Sequence, residues 1–167
     1  MRLGVIKGYA DGTVRPDRAI TRAEFVFILS SLLDVNGTKL VDLKDIDKHW
    51  ARDALADFAA AGIIQGYKDG SFKPNKSITR EEMVVILSRI LDLENLPKES
   101  QSVDFLDLQA SWASDIIRQT AQAGIISGKG NGRFVPKAEA SRSEALTVIY
   151  NSLSLDPEIQ ALLKQLN

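Results

Sequence analysis

The sequence has no cysteine and a single histidine, His49, among its 167 residues. Without thiols the chain cannot form a disulfide, bind zinc through thiolates or use a cysteine nucleophile. One imidazole cannot build a multi-histidine metal site. No stretch approaches the ~18 consecutive apolar residues that a membrane-spanning helix needs. We therefore expect no metal site, no cofactor and no membrane span.

The sequence also lacks an excess of either charge, because it has 21 basic and 22 acidic residues and a net charge of −1. This balance disfavours a nucleic-acid-binding protein and an acidic disordered tail. The segment from Met1 to Lys7 is too short for the apolar core of a signal peptide. If the protein is exported, we expect its signal peptide to lie outside this chain.

The chain contains an internal repeat, in which one pattern occurs three times. Each copy has a glycine, two apolar residues, a second glycine, a turn ending in Gly, a proline and then Thr or Ser, Arg, any residue and Glu. An upstream half with a tryptophan precedes this pattern in the second and third copies. We place the three repeats at about residues 1–34, 45–92 and 105–153 within one domain.

Each repeat is predicted to form helix, loop and helix. Apolar residues from Trp50 to Ala61 follow helical spacing, and Gly62 and Gly124 stand where a left-handed C-cap is expected. The second helix begins with a capping box of Ser or Thr and Glu three residues later. Its apolar body is predicted at residues 25–33, 83–91 and 145–153.

The predicted fold class is all-α, with three helix-loop-helix repeats around a pseudo-threefold axis and short extended turns in the loops. The first repeat lacks an upstream helix in this chain. A C-terminal helix is predicted at residues 157–166, because Ile159, Leu162 and Leu166 form an apolar stripe. We expect it to fill the vacant position beside Val5 and Ile6.

Three arginines, Arg22, Arg80 and Arg142, lie in the first turn of the second helices, where the helix dipole disfavours a cation. Free N–H groups at a helix start attract anions, and a guanidinium fork suits a carboxylate or a phosphate. Two interpretations stay open: the arginines bind an anion, or they are clamps to a neighbouring repeat or loop. The first predicts that Arg80→Ala leaves the melting temperature nearly unchanged.

Other candidate ligand-binding residues lie in the loops and at the upstream helix starts. Gly12 and Gly70 belong to tight turns, and Tyr9 and Tyr67 either stack on a sugar or cover the core. Trp50 and Trp112 stand at the upstream helix starts, and their size favours core packing, with ligand contact as the alternative. The third repeat lacks the tyrosine, which predicts a weaker site at Arg142.

No catalytic pattern is found, since the sequence has no Ser-His-Asp order and no nucleophile elbow. The acids of the Asp-Gly turns lack the spacing of a calcium loop. We therefore predict that the chain is not an enzyme.

Residues 62–74, followed by Thr79-Arg80-Glu81-Glu82, resemble a surface layer homology (SLH) repeat, and His49-Trp50-Ala51 resembles that family's upstream helix start. The resemblance implies a pseudo-trimer that anchors exported proteins noncovalently to the bacterial cell wall, at the extracellular surface. The implied ligand is a secondary cell wall polysaccharide with pyruvylated N-acetylmannosamine, held in grooves between repeats by the three arginines.

Alternatives of two kinds remain open beside this interpretation. The repeats could be a structural helical scaffold for protein–protein association or self-assembly, with the arginines as internal clamps. They could instead form a related module of an outer-membrane protein that contacts a peptidoglycan-linked polymer. For the wall-binding module we expect a monomer or weak self-association.

Overall fold

The computed structural model describes residues 11–39, 41–93, 96 and 104–155. Those residues form helices and no strand, with isolated bridges between Thr21 and Ser77 and between Thr79 and Glu139. The predicted all-α class is confirmed. None of the helices in these ranges has the length and apolarity to cross a membrane. The helices are α1 Arg22–Ser30, α2 Arg52–Ala60, α3 Arg80–Ser88, α4 Ser114–Gln122 and α5 Arg142–Ser154.

Capping boxes begin α1, α3 and α5, as the sequence predicts. At α1 the Thr21 hydroxyl accepts from the backbone N–H of Glu24 at 3.1 Å, and the Glu24 carboxylate accepts from the N–H of Thr21 at 2.8 Å. These bonds satisfy backbone groups that a helix start otherwise leaves unpaired. They fix the arginine as the first helical residue in each case.

Glycines after α2 and α4 reverse the chain. Gly62 has a φ of 78° and Gly124 a φ of 72°, so both lie in the left-handed region predicted for them. Gly37, in the connection after α1, is required for another reason: its backbone lies very close to the end of α2. A Cβ atom there would lie 2.3 Å from the carbonyl carbon of Ala60, at the end of α2.

The chain divides into two compact units, Met1–Ile78 and Thr79–Asn167. In the first unit α1 packs against α2, and in the second unit α3 packs against α4 and contacts α5. Each unit thus combines the arginine-bearing helix of one repeat with the upstream helix and loop of the next. Fully buried side chains form the two cores: Phe25, Leu55, Phe58 and Phe72 in the first, and Met83, Leu108, Ile117 and Phe134 in the second.

The predicted repeat limits and the pseudo-threefold axis stay predictions. The predicted helix at 157–166 and its proposed neighbours Val5 and Ile6 lie outside the described residues.

Candidate functional site

The three predicted arginines are buried. Arg22, Arg80 and Arg142 are 5%, 4% and 6% exposed. A buried cation needs hydrogen-bond acceptors or an opposite charge, because desolvation otherwise makes it unstable. For Arg22 and Arg80 the structure shows these partners in the loop of the following repeat.

Arg22 binds the loop of the second repeat. Its Nε donates to the carbonyl oxygen of Phe72 at 2.9 Å. The guanidinium carbon lies 4.3 Å from the centroid of the Phe72 ring and 5.0 Å from that of Tyr67. Both distances permit a cation–π interaction, so one peptide and two rings fix the position of the charge.

Arg80 binds the loop of the third repeat in the same way. Its Nε donates to the carbonyl oxygen of Phe134 at 2.9 Å, and its guanidinium carbon lies 4.3 Å from the centroid of that ring. The terminal nitrogens donate to the carbonyl oxygen of Ser127 at 2.8 Å and to the carboxylate of Glu144 at 3.0 Å. Burial lowers the pKa of Arg80, while the charge of Glu144 opposes that change.

These contacts correct the predicted pairing of arginines and loops. The sequence interpretation assigned each arginine to the loop of its own repeat, so that Arg80 would share a site with Tyr67. Tyr67 instead lies beside Arg22, and Lys129 takes the equivalent loop position in the site of Arg80. The predicted weakness of the Arg142 site therefore loses its basis. Sequence comparison aligns positions within a repeat and does not show which repeat contributes the facing loop.

The backbone N–H groups at the starts of α1 and α3 are occupied. In α1 the N–H of Arg22 donates to the carbonyl oxygen of Lys76, and that of Ala23 donates to Pro74, at 2.9 and 3.0 Å. The two equivalent N–H groups of α3 donate to the carbonyls of Ala138 and Pro136. The expectation that free N–H groups attract an anion here is wrong. Anion contacts at these two sites must come from side chains.

A cleft of about 270 Å³ opens beside Arg80 in the second unit. Three of the five N–H groups of Arg80 donate to the acceptors given above. Within the described residues no protein acceptor is found for the other two. The cleft wall combines hydroxyl and amide groups with apolar side chains: Ser127, Ser143, Thr147 and Asn151, and Met83, Ile125 and Val148.

Charged groups of both signs meet at this cleft: Arg80 and Lys129 are basic, Glu144 is acidic, and the charge of Asp107 also acts on Arg80. Glu144 accepts from Arg80 and also from the Lys129 ammonium at 2.9 Å, so two cations surround one carboxylate. Burial raises the pKa of Glu144, but the bond from the Ser141 N–H and the charges of Lys129 and Arg80 outweigh it and lower that pKa. The carboxylate is thus ionised at neutral pH and is bonded to both cations.

The site of Arg22 also gathers positive charge. The Lys73 and Lys76 ammonium groups lie 4.4 and 5.3 Å from the centroid of the Tyr67 ring, and Lys76 donates to the Tyr67 hydroxyl at 3.2 Å. The carboxylate of Asp69 is 3.7 Å from Lys73. The cationic groups of Arg22, Lys73 and Lys76 therefore all lie close to the Tyr67 ring. Stacking of Tyr67 on a sugar stays a prediction.

The remaining predicted residues have mixed outcomes. Gly12 and Gly70 have φ angles of 78° and 81°, as expected for tight turns. Core packing of Trp50 and Trp112 is wrong, because they are 60% and 64% exposed. Both precede the first helical residue, so they lie outside the buried helix face. Tyr9 lies outside the described residues.

Two aspartates that the sequence analysis gave no role contact the same loops. Asp45 accepts from the backbone N–H groups of Phe72 and Lys73 at 2.7 and 2.8 Å. Asp107 accepts from the equivalent N–H groups of the third repeat, at 2.9 and 2.8 Å. Both aspartates stand at the same place in their repeats, and that recurrence was the available signal.

Comparison with known proteins identifies the family. The cellulosome-anchoring protein of Acetivibrio thermocellus is 33% identical over 95% of this chain and 37% of its own length. The amylopullulanase of Thermoanaerobacterium thermosulfurigenes is 34% identical over 89% of this chain and 8% of its own length. The surface-layer 125 kDa protein of Lysinibacillus sphaericus is 34% identical over 70% of this chain and 10% of its own length.

The chain therefore spans well under half of the length of these relatives. The S-layer homology domain matches residues 2–26, 42–84 and 104–146, one segment in each predicted repeat. These segments make up more than half of the chain, which belongs to the S-layer homology family.

Proposed function

We propose that this chain is a noncovalent anchoring module of the bacterial cell surface that binds an anionic secondary cell wall polysaccharide. The observation that carries the proposal is the cleft at Arg80, where a buried guanidinium with unused N–H groups lies near the Lys129 ammonium, among hydroxyl and amide side chains. The proposed ligand is the pyruvylated N-acetylmannosamine polymer that the family resemblance implies. The role is binding and not catalysis.

The chemistry of the cleft suits such a polymer. A pyruvate ketal presents a carboxylate, and an arginine fork binds a carboxylate through two parallel hydrogen bonds. The hydroxyls of Ser143 and Thr147 and the amide of Asn151 add polar groups for the neutral parts of a sugar. The apolar wall formed by Met83 and Val148 excludes water, which strengthens each charged contact.

The relatives agree with a surface location. One is named for anchoring the cellulosome and another for the surface layer. The amylopullulanase matches over 8% of its own length, so its name assigns no activity to this chain. An anchoring segment attached to different partners accounts for such a range of relatives.

The test is isothermal titration calorimetry with purified wall polysaccharide, before and after mild-acid removal of the pyruvate. Ser143→Asp adds a negative charge to the cleft wall in the first turn of α5, where an acidic residue suits the helix dipole. We expect this variant to fold and to lose tenfold or more in affinity. Ser143→Asn is the neutral control and should bind nearly as the parent does.

A second function is favoured by the bonds of Arg80 within its own unit. All three bonds described above go to protein groups, as an internal clamp of a structural scaffold requires. In that case the chain would bind no wall polymer and would associate with itself or with another protein. Sedimentation velocity over a concentration series separates the two functions: the anchoring proposal expects polysaccharide binding by a species that stays largely monomeric.

A further inference from the structure

We propose that Asp45 and Asp107 are positioning residues for the two arginine sites: each holds the loop peptide whose carbonyl orients the arginine of the preceding repeat, without touching the ligand. The inference rests on the anion-binding role proposed above. It assigns to the upstream half of the repeat a part in ligand recognition.

The two aspartates hold equivalent peptides with equivalent geometry. The carboxylate oxygens of Asp107 accept from two successive N–H groups, those of Phe134 and Val135. The carbonyl oxygen of Phe134 accepts from Nε of Arg80. Phe134 is thus bound on its N–H side by an anion and on its C=O side by a cation. The same arrangement occurs with Asp45, Phe72 and Arg22.

The residue after the phenylalanine has a backbone conformation that needs support. Val135 has a φ of 59° and Lys73 a φ of 56°, and a proline follows each of them. The left-handed region is uncommon for residues other than glycine and is an outlier for a β-branched valine. Such conformations persist only where the surroundings enforce them. The N–H of this residue is one of the two that the aspartate binds.

The charge of Asp107 makes it a strong acceptor. Burial raises its pKa, but the N–H bonds from Phe134 and Val135 outweigh burial and hold the pKa of Asp107 below its usual value. An ionised carboxylate accepts shorter and stronger bonds than a neutral amide oxygen does. Asp107 does not bond to Arg80: its charge acts on the guanidinium through space, and its hydrogen bonds hold the loop peptide whose carbonyl accepts from Nε.

Without the aspartate the loop can leave the left-handed conformation, and the Phe134 carbonyl then moves away from Nε of Arg80. The guanidinium loses the acceptor that fixes its plane, and Phe134, which also lines the cleft, shifts with the loop. A glycine in place of Val135 adopts a positive φ without support. The effect of removing Asp107 should therefore be reversed by Val135→Gly.

The experiment uses the whole chain and follows the Nε–H of Arg80 by ¹⁵N NMR. In Asp107→Ala we expect its exchange with solvent to rise at least tenfold, while amides inside α3 keep their protection. Asp107→Ala with Val135→Gly should recover most of the protection. Asp115→Ala, which removes an exposed aspartate paired with Arg118, is the matched control and should change nothing.

Calorimetry with wall polysaccharide should rank the variants in the same order, with at least a fivefold loss of affinity for Asp107→Ala and recovery in the double variant. Unchanged protection of the Arg80 Nε–H in Asp107→Ala, or no recovery with Val135→Gly, overturns the proposal. If the parent chain binds no polysaccharide, the proposed function fails, and the NMR measurement still decides the role of Asp107. If Asp107→Ala does not fold, Asp107→Asn decides by the same readout, because the amide keeps only one acceptor oxygen.

Discussion

Removal of the Arg80 side chain should destabilise the protein strongly. Arg80→Ala leaves the carbonyl oxygens of Ser127 and Phe134 without their donor and leaves Lys129 as the charged partner of Glu144. A hydrogen bond from a charged group contributes ~1.5–3 kcal/mol, and breaking a buried charge pair costs ~3–5 kcal/mol. Because the bonds share one side chain they are not additive. We expect the free energy of unfolding to fall by about 3–5 kcal/mol.

This expectation replaces the one drawn from the sequence, which was a nearly unchanged melting temperature. The assay is urea unfolding with linear extrapolation, in which a shifted midpoint at constant slope reports stability. Arg118→Ala is the matched control, because Arg118 is 41% exposed and pairs with Asp104 and Asp115 at the surface. Its effect should stay within about 0.5 kcal/mol. A loss of stability for Arg80→Ala no larger than that for Arg118→Ala would refute the stabilising role of the Arg80 hydrogen bonds.

Other predictions test single features. Trp112→Ala should cost under ~1 kcal/mol of stability because the residue is 64% exposed, whereas Phe134→Ala should cost ~3–5 kcal/mol in the same urea assay. The folded pKa of Glu144 lies below 4.5, so its stabilisation is complete above pH 4.5 and is lost as the pH falls through the folded value; Glu144→Gln should flatten that part of a pH series of melting temperatures. Gly37→Ala should lower stability by ~1–3 kcal/mol, since the new methyl has no space at the end of α2; a melting temperature equal to that of the parent would contradict this. Tyr67→Leu should weaken polysaccharide binding severalfold in calorimetry and lower stability by about 1–2 kcal/mol, since the buried Arg22 loses one of its two rings; equal affinity would remove the ring from the site.

Local features of the fold could be predicted from the sequence. The capping boxes at Thr21 and Thr79 and the left-handed glycines at 62 and 124 depend on residues a few positions apart, and all were predicted correctly. The capping residue and the glutamate three positions later form the hydrogen bonds of the cap with each other's backbone, so their spacing alone predicts the geometry. The helix starts, and with them the position of each arginine, follow from the sequence for this reason.

Contacts between distant residues could not be predicted in the same way. Arg80 and Phe134 are 54 positions apart, and the recurrence of each pattern within a repeat does not show that the arginine enters the next loop. Asp107 recurs with Asp45, but a repeated aspartate is compatible with a solvated turn as well as with a bound backbone. Trp112 was misjudged because residue size favours burial, and its place before α4 leaves it at the surface.

The contact between successive repeats is directional. One repeat contributes a helix start with its arginine, and the next contributes a loop with its aspartate, so the second repeat, with Arg80 and Asp45, carries both unlike halves. A contact of unlike halves can be continued by adding copies, which a self-complementary contact cannot. Duplication of a whole repeat would then add one more site of the same design. Covalently linked sites raise each other's effective ligand concentration, so the number of repeats could set the avidity for a long polymer while the affinity of each site stays constant.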